Sequence, residues 1–169
     1  GSRGSCPPEK GDGEAVFLGV STLNLDAKGR LAVPAKHRDA LADCCASRVV
    51  ATVNPIAGEK CLWLYPENEW REVARTLSRL PTMDRQAQAM RRLMIGFASE
   101  LELDGQGRIL LTNEQREFAG LGKRVALVGQ VQKFEIWDEA VWSENQEQWQ
   151  AEVMSEDGTL SEALQGITL

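Results

Sequence analysis

The sequence predicts an α+β fold made of two pseudo-symmetric, strand-rich repeats with flanking helices, and two observations carry that reading. The five residues Asp26-Ala27-Lys28-Gly29-Arg30 return as Asp104-Gly105-Gln106-Gly107-Arg108. Subtracting 78 places Asp104 on Asp26, Gly107 on Gly29 and Arg108 on Arg30, and a fixed offset of this kind marks an internal repeat. Apolar residues also alternate on both sides of each copy: Leu23, Leu25, Leu31 and Val33 around the first, and Leu101, Leu103, Ile109 and Leu111 around the second. Alternation at period two is the pattern of half-buried strands.

Taken in order, residues 1–15 open with Gly-Ser-Arg-Gly-Ser, which resembles a vector-derived leader, and continue without periodicity in Pro, Gly and charge. They are expected to be disordered. The purine-rich codons implied by residues 9–14 suggest that native translation starts at Val16. The first repeat is assigned to residues 20–67. After its turn, Pro34 presets φ for a short helix over 35–42. Apolar runs at 49–53 and 61–65 flank Asn54-Pro55-Ile56-Ala57-Gly58, the turn formers of a hairpin. A helical connection, 68–95, follows. Pro66 begins its first helix, Trp70, Val73, Ala74, Leu77 and Leu80 form an apolar stripe, and Pro81 ends it. A second helix starts near Asp84, with Ala87, Met90 and Met94 on one side.

The second repeat is assigned to 96–139. Thr112-Asn113-Glu114-Gln115 spells a capping box where the first repeat has proline, and Arg116 falls on Arg38 at the same offset. Runs at 125–131 and 134–137 match the first hairpin, with Leu62 on Phe134 and Trp70 on Trp142. The offset has fallen to 72 there, which suggests a six-residue deletion in the hairpin loop. Residues 140–169 form an acidic, helical C-terminal tail. Trp137, Trp142 and Trp149 read as packed helix residues, because large aromatics are uncommon in purely solvated segments. Thr159 to Glu162 spells a final cap.

With 169 residues and 43% hydrophobic composition the chain can bury a core. No apolar run approaches the ~20 residues of a membrane span, so a cytoplasmic protein with no membrane partner is expected. The four cysteines lack Cys-x-x-Cys spacing and should be reduced. A net charge of -6 argues against nucleic acid until its distribution is considered. Residues 135–169 hold nine carboxylates and neither Lys nor Arg, so the rest of the chain carries +3. The acidity belongs to the tail, and the body that bears the repeats is mildly basic.

Within the repeated motif each residue type has a task. Asp at a turn entrance accepts backbone N–H groups, and Gly tolerates the positive φ of a tight reversal. Arg four positions after the Asp either folds back to lock the turn or projects its guanidinium outward. A structural turn and a DNA-facing turn both fit.

The order of Gly19, Leu23-Asn24-Leu25-Asp26, Lys28-Gly29-Arg30-Leu31, Val33-Pro34, Leu64-Tyr65-Pro66 with Trp70, and Asp104-Gly105-Gln106-Gly107-Arg108 resembles the bacterial MraZ family over residues 16–169. The resemblance implies a double AbrB-like fold, an interleaved barrel of β-hairpins from both repeats. It also implies ring-shaped homo-oligomers that bind repeated double-stranded DNA elements near the promoter of the division and cell-wall gene cluster, usually as repressors, and hence association with the nucleoid. Two cations against one anion in the first turn single it out for DNA. Arg30 is expected to read guanine edges, with Lys28, Lys36 and Arg38 on phosphates. Asp26, Gly29, Asp104, Gly107 and Arg108 are expected to be structural. Arg71, Arg75 and Arg79 read as a solvated or intersubunit face, and His37 as an exposed side chain.

The one histidine offers no catalytic constellation and no metal-ligand spacing, so neither enzyme chemistry nor a cofactor is expected. Gly105-Gln106-Gly107 reaches Leu110 where a dinucleotide fingerprint needs glycine. The rival class is an antitoxin-like module whose acidic tail occupies a partner protein.

Overall fold

The computed structural model describes residues 15–153, 158 and 160–167. Its strands are β1 (Val20–Asn24), β2 (Arg30–Ala32), β3 (Arg48–Val53), β4 (Leu62–Pro66), β5 (Ser99–Glu102), β6 (Arg108–Leu110), β7 (Arg124–Gly129) and β8 (Phe134–Asp138). Its helices are α1 (Ala35–Cys45), α2 (Glu67–Ser78), α3 (Arg85–Met94), α4 (Asn113–Ala119), α5 (Glu139–Glu144) and α6 (Gln146–Val153). Six strands form one antiparallel sheet in the order β1-β7-β8-β4-β3-β5, while β2 and β6 pair only with each other.

The repeats are interleaved. β1 of the first pairs with β7 of the second, and β5 of the second pairs with β3 of the first. Two registers put a pseudo-two-fold axis through the molecule. In the ribbon Leu31 faces Ile109, its own equivalent, so Arg30 faces Leu110 and Ala32 faces Arg108. At the sheet centre Trp63 faces its equivalent, Glu135. The offset shrinks in two steps, not one. Glu102 pairs Arg48 as Asn24 pairs Arg124, so it is 78 in the edge strands and already 76 in β3 and β7. α4 is four residues shorter than α1 while the link to the next strand is two longer, a net loss of two, and the remaining four are lost in the hairpin loop.

The expected barrel is not closed: β1 and β5 are open edges of the sheet. The reason lies in the turns. Leu25, just beyond β1, forms an isolated bridge with Leu31, after which β2 leaves the sheet to join β6. Among the described residues no strand links the edges.

Alternation sorts the sheet into two faces. Val49, Ala51, Val53, Leu62, Leu64, Val125, Leu127, Phe134 and Ile136 pack with the ribbon's Leu31 and Ile109 and with Leu41 of α1. On the other face α2 and α3 cover β3, with α2 reaching β4, while α5 covers β7 and β8. There Trp137 contacts Trp142 and Trp149, with ring centroids 6.2 and 5.2 Å away. The tail tryptophans are packed residues, as their number in an acidic segment suggests. The side chain of Val153 faces solvent, and Thr159, the expected final cap, lies outside the described residues.

Local signals account for the helix starts. Thr112 accepts the Gln115 amide and Gln115 returns the bond to the Thr112 amide, a complete capping box. Asp84 caps α3 through the Gln86 amide. α1 runs on to Cys45, past the expected 42, and Pro66 both ends β4 and is the N-cap of α2. His37 corrects the sequence reading. It is buried between the rings of Phe17 and Phe134, 5.8 and 4.9 Å away, and burial, aided by the Lys36 charge, lowers its pKa. The adjacent Lys36 and Arg38 made it look solvated, but in a helix next-door residues point to different faces.

At the turns the interleaving becomes tight. Gly29 has φ +91°, and a Cβ there would sit 2.7 Å from Arg116 Nε and 2.9 Å from the Leu111 carbonyl oxygen, both in the other repeat. Gly107, at φ +74°, meets Arg38 in the same way. Gly29→Ala should therefore lose roughly 1–3 kcal/mol of unfolding free energy, and Gly58→Ala, in open space, less. Urea unfolding of both variants measures this.

Candidate nucleic-acid interface

The two Asp-to-Arg turns have the same construction. In the first, Asp26 Oδ1 accepts the amides of Lys28 at 2.9 Å and Arg30 at 2.8 Å, while Oδ2 accepts Arg30 Nε at 2.8 Å. In the second, Asp104 Oδ1 accepts the amides of Gln106 and Arg108 at 2.9 and 2.8 Å, and Oδ2 accepts Arg108 Nε at 3.0 Å. The Gly29 and Gly107 amides donate to the Asp26 and Asp104 carbonyls at 3.0 and 2.9 Å, closing both loops. Each arginine is therefore locked through Nε. A guanidinium's Nη1 and Nη2 donors lie beyond that bond, so locking the turn and presenting a donor fork are compatible.

The Arg30 amide, followed by its guanidinium and the Lys28 amide, holds the Asp26 carboxyl down at about 2. The Arg108 and Gln106 amides and the Arg108 guanidinium lower Asp104 likewise. Both are charged across the physiological range.

The interleaved strands redistribute the expected DNA-contacting set. Lys28 and Arg30 stay together in the first turn. Arg38 does not join them: its Nε donates to the Val33 carbonyl at 2.6 Å and its side chain lies over Gly107 of the second turn. Lys36 Nζ sits against Gly19, where β1 starts, whereas the first turn follows the end of that five-residue strand, roughly 17 Å away along it. What joins Lys28 and Arg30 comes from the other repeat. Arg116 is wedged under Gly29, and Lys123, whose carbonyl accepts the Leu25 amide at 2.8 Å, flanks the turn's entry. With Leu25, Asp26, Ala27 and Gly122 they line a cleft of about 350 Å³.

Arg116 is only partly satisfied. Its Nη2 donates to Asn113 Oδ1, but its buried Nε finds no acceptor among the described residues. An unsatisfied buried donor costs about 1–3 kcal/mol. The repeat offset relates Arg116 to Arg38, but no local signal in the sequence points to Lys123. Lys123 is 93 positions from Arg30, and only the pairing of β1 with β7 brings it near.

Comparison with known proteins agrees with this two-fold architecture. A family described as "MraZ protein, putative antitoxin-like" matches twice, over residues 16–93 and 94–161. The chain belongs to the MraZ family. Proteins named transcriptional regulator MraZ are similar along most of their length. That of Halorhodospira halophila is 46% identical over 154 residues, covering 91% of this chain and all of the relative. That of Nitrosococcus oceani is 54% identical over 127 residues, 75% of this chain and 84% of the relative. In this MraZ chain each family match contains one Asp-to-Arg turn, and each turn is completed by residues from the other match.

Asp26 and Asp104 also set an acid limit. Their folded pKa values lie below the ordinary carboxylate value of 3.8, so their stabilising effect is complete above that value and is lost as pH falls through the folded values, which for Asp26 is about 2. Carboxyl carbon NMR should show Asp26 titrating near 2, and Asp26→Asn should flatten the loss of stability between pH 4 and 2. An Asp26 midpoint close to 3.8 would contradict the bonding described.

Proposed function

We propose that this chain is a DNA-binding transcriptional regulator whose first Asp-to-Arg turn meets double-stranded DNA. The supporting observation is the unequal charge around two turns of equal geometry. Lys28, Arg30, Arg116 and Lys123 surround Asp26, whereas among the described residues Arg108 and Arg38 flank the Asp104 turn, because Gln106 and Ser47 stand where the first site has lysines. Phosphate binding needs local positive potential, and the first turn supplies more of it.

Arg30 is held at Nε by Asp26 and offers its outer donors to O6 and N7 of guanine in the major groove. Lys28 binds the backbone. Lys36 and Arg38, displaced from this turn, contribute only if the DNA extends over β1 or the second turn. The names of the relatives support regulation of transcription. Repression, a ring-shaped homo-oligomer, repeated promoter elements of the division and cell-wall gene cluster, and residence on the nucleoid follow from the family resemblance and form part of the proposal. A ring engaging several elements would gain roughly 10²–10⁴ in avidity over one turn on one element. The antitoxin-like alternative needs a free acidic tail, but Trp142 and Trp149 commit α5 and α6 to the chain's own sheet.

Arg30→Ala should weaken binding to the promoter fragment by about 1–3 kcal/mol per element and relax its sequence preference, while Arg108→Ala changes it little. Mobility shift across a salt series reads both. Unchanged binding by Arg30→Ala with loss by Arg108→Ala would reverse the assignment of the two turns.

A further inference from the structure

We infer that Lys123, with Arg116 as the wall of its cleft, is a second DNA-backbone contact supplied by the second repeat to the first repeat's turn. This rests on the reading of the first turn as DNA-facing. Lys123 is exposed, its backbone is fixed by the Leu25 amide, and it borders the cleft beside Asp26 and Ala27. Asp26 lines the same cleft, but its oxygens are occupied by the Lys28 and Arg30 amides and by Arg30 Nε. The Gly122 amide is bound to Asp138 Oδ1 at 2.8 Å, so side chains are left to bind an anion there. Of these, Lys123 and Arg116 carry the positive charge.

The neighbouring strands extend the same bias. Arg124 lies opposite Asn24 and its Nη1 donates to the neutral Asn24 amide oxygen at 3.0 Å. Its counterpart Arg48 lies opposite Glu102 and is paired with Glu67 at 3.0 Å. Arg124 is thus bonded to a neutral group beside the first turn, whereas Arg48 is ion-paired beside the second. The opposing charges nearby are Asp138, whose Oδ1 is held by the Gly122 amide, and Glu114 and Glu117 on α4, both exposed. A backbone phosphate is the chemical group this cleft suits, and contact with it would carry no sequence information.

The test measures affinity for two 20-base-pair duplexes, one from the promoter upstream of the chain's own coding region and one of mixed sequence, between 50 and 300 mM salt. Lys123→Ala should weaken both by similar factors, about five-fold at 0.15 M, and reduce the slope of log K against log salt by about 0.9 per contact. Lys123→Arg should restore both. Arg79→Ala, which removes one charge from the exposed end of α2, should leave the slope unchanged. If wild-type protein binds and Lys123→Ala matches Arg79→Ala, this inference is wrong while the DNA-facing turn survives. If wild-type protein binds neither duplex at low salt, the proposed function itself fails. A loss confined to the promoter duplex would make Lys123 a base contact and would also overturn the inference.

Discussion

The structure depends on the close approach of each turn glycine to the other repeat. Gly29 admits Arg116 and the Leu111 carbonyl, and Gly107 admits Arg38. Two backbone bonds fasten the arrangement: the Leu111 amide donates to the Gly29 carbonyl and the Val33 amide to the Gly107 carbonyl, both at 2.9 Å. A side chain at Gly29 would press on the Leu111 backbone where the ribbon β2–β6 begins, and one at Gly107 would displace the Arg38 side chain. Neither repeat completes its own turn. The Asp-to-Arg lock shapes the loop, but the surface beneath it is borrowed.

This exchange explains how similar turns acquire different surroundings. Within each turn the hydrogen bonds match to about 0.2 Å, so divergence has occurred at the partners. Lys123 replaces Ser47 beside one entry strand, and Asn24 replaces Glu102 on that strand. A repeat can therefore alter the chemistry of its sister's turn without touching the loop whose geometry both need. The acidic helices α5 and α6 sit on the opposite face of the sheet, anchored by tryptophans, where their charge is kept from the ribbon.

Much of this was legible from residues. The turn motif, the alternation of Leu23, Leu25, Leu31 and Val33, and the Thr112 to Gln115 cap are local patterns whose physics acts within a few residues. The family match and the two-repeat division agree with them. What sequence order concealed was which repeat supports which turn. Arg38 looked like a companion of Arg30 because eight positions separate them, yet strand exchange puts it over Gly107. His37 looked exposed between two cations, but the face of α1 that it occupies is turned towards Phe17 and Phe134. The open sheet has the same origin, since no local signal states that β2 leaves β1 to find β6.

Native-state hydrogen exchange at increasing urea tests the borrowed-turn architecture most directly. The informative amides are Leu25 and Leu111, which tie the first turn to the second repeat, and Val33 and Leu103, which tie the second turn to the first. The account predicts that all four exchange through one cooperative opening, with the same free energy and the same large urea dependence. Release of Leu25 and Leu111 through a smaller opening, while Val33 and Leu103 remain protected to the global limit, would contradict it.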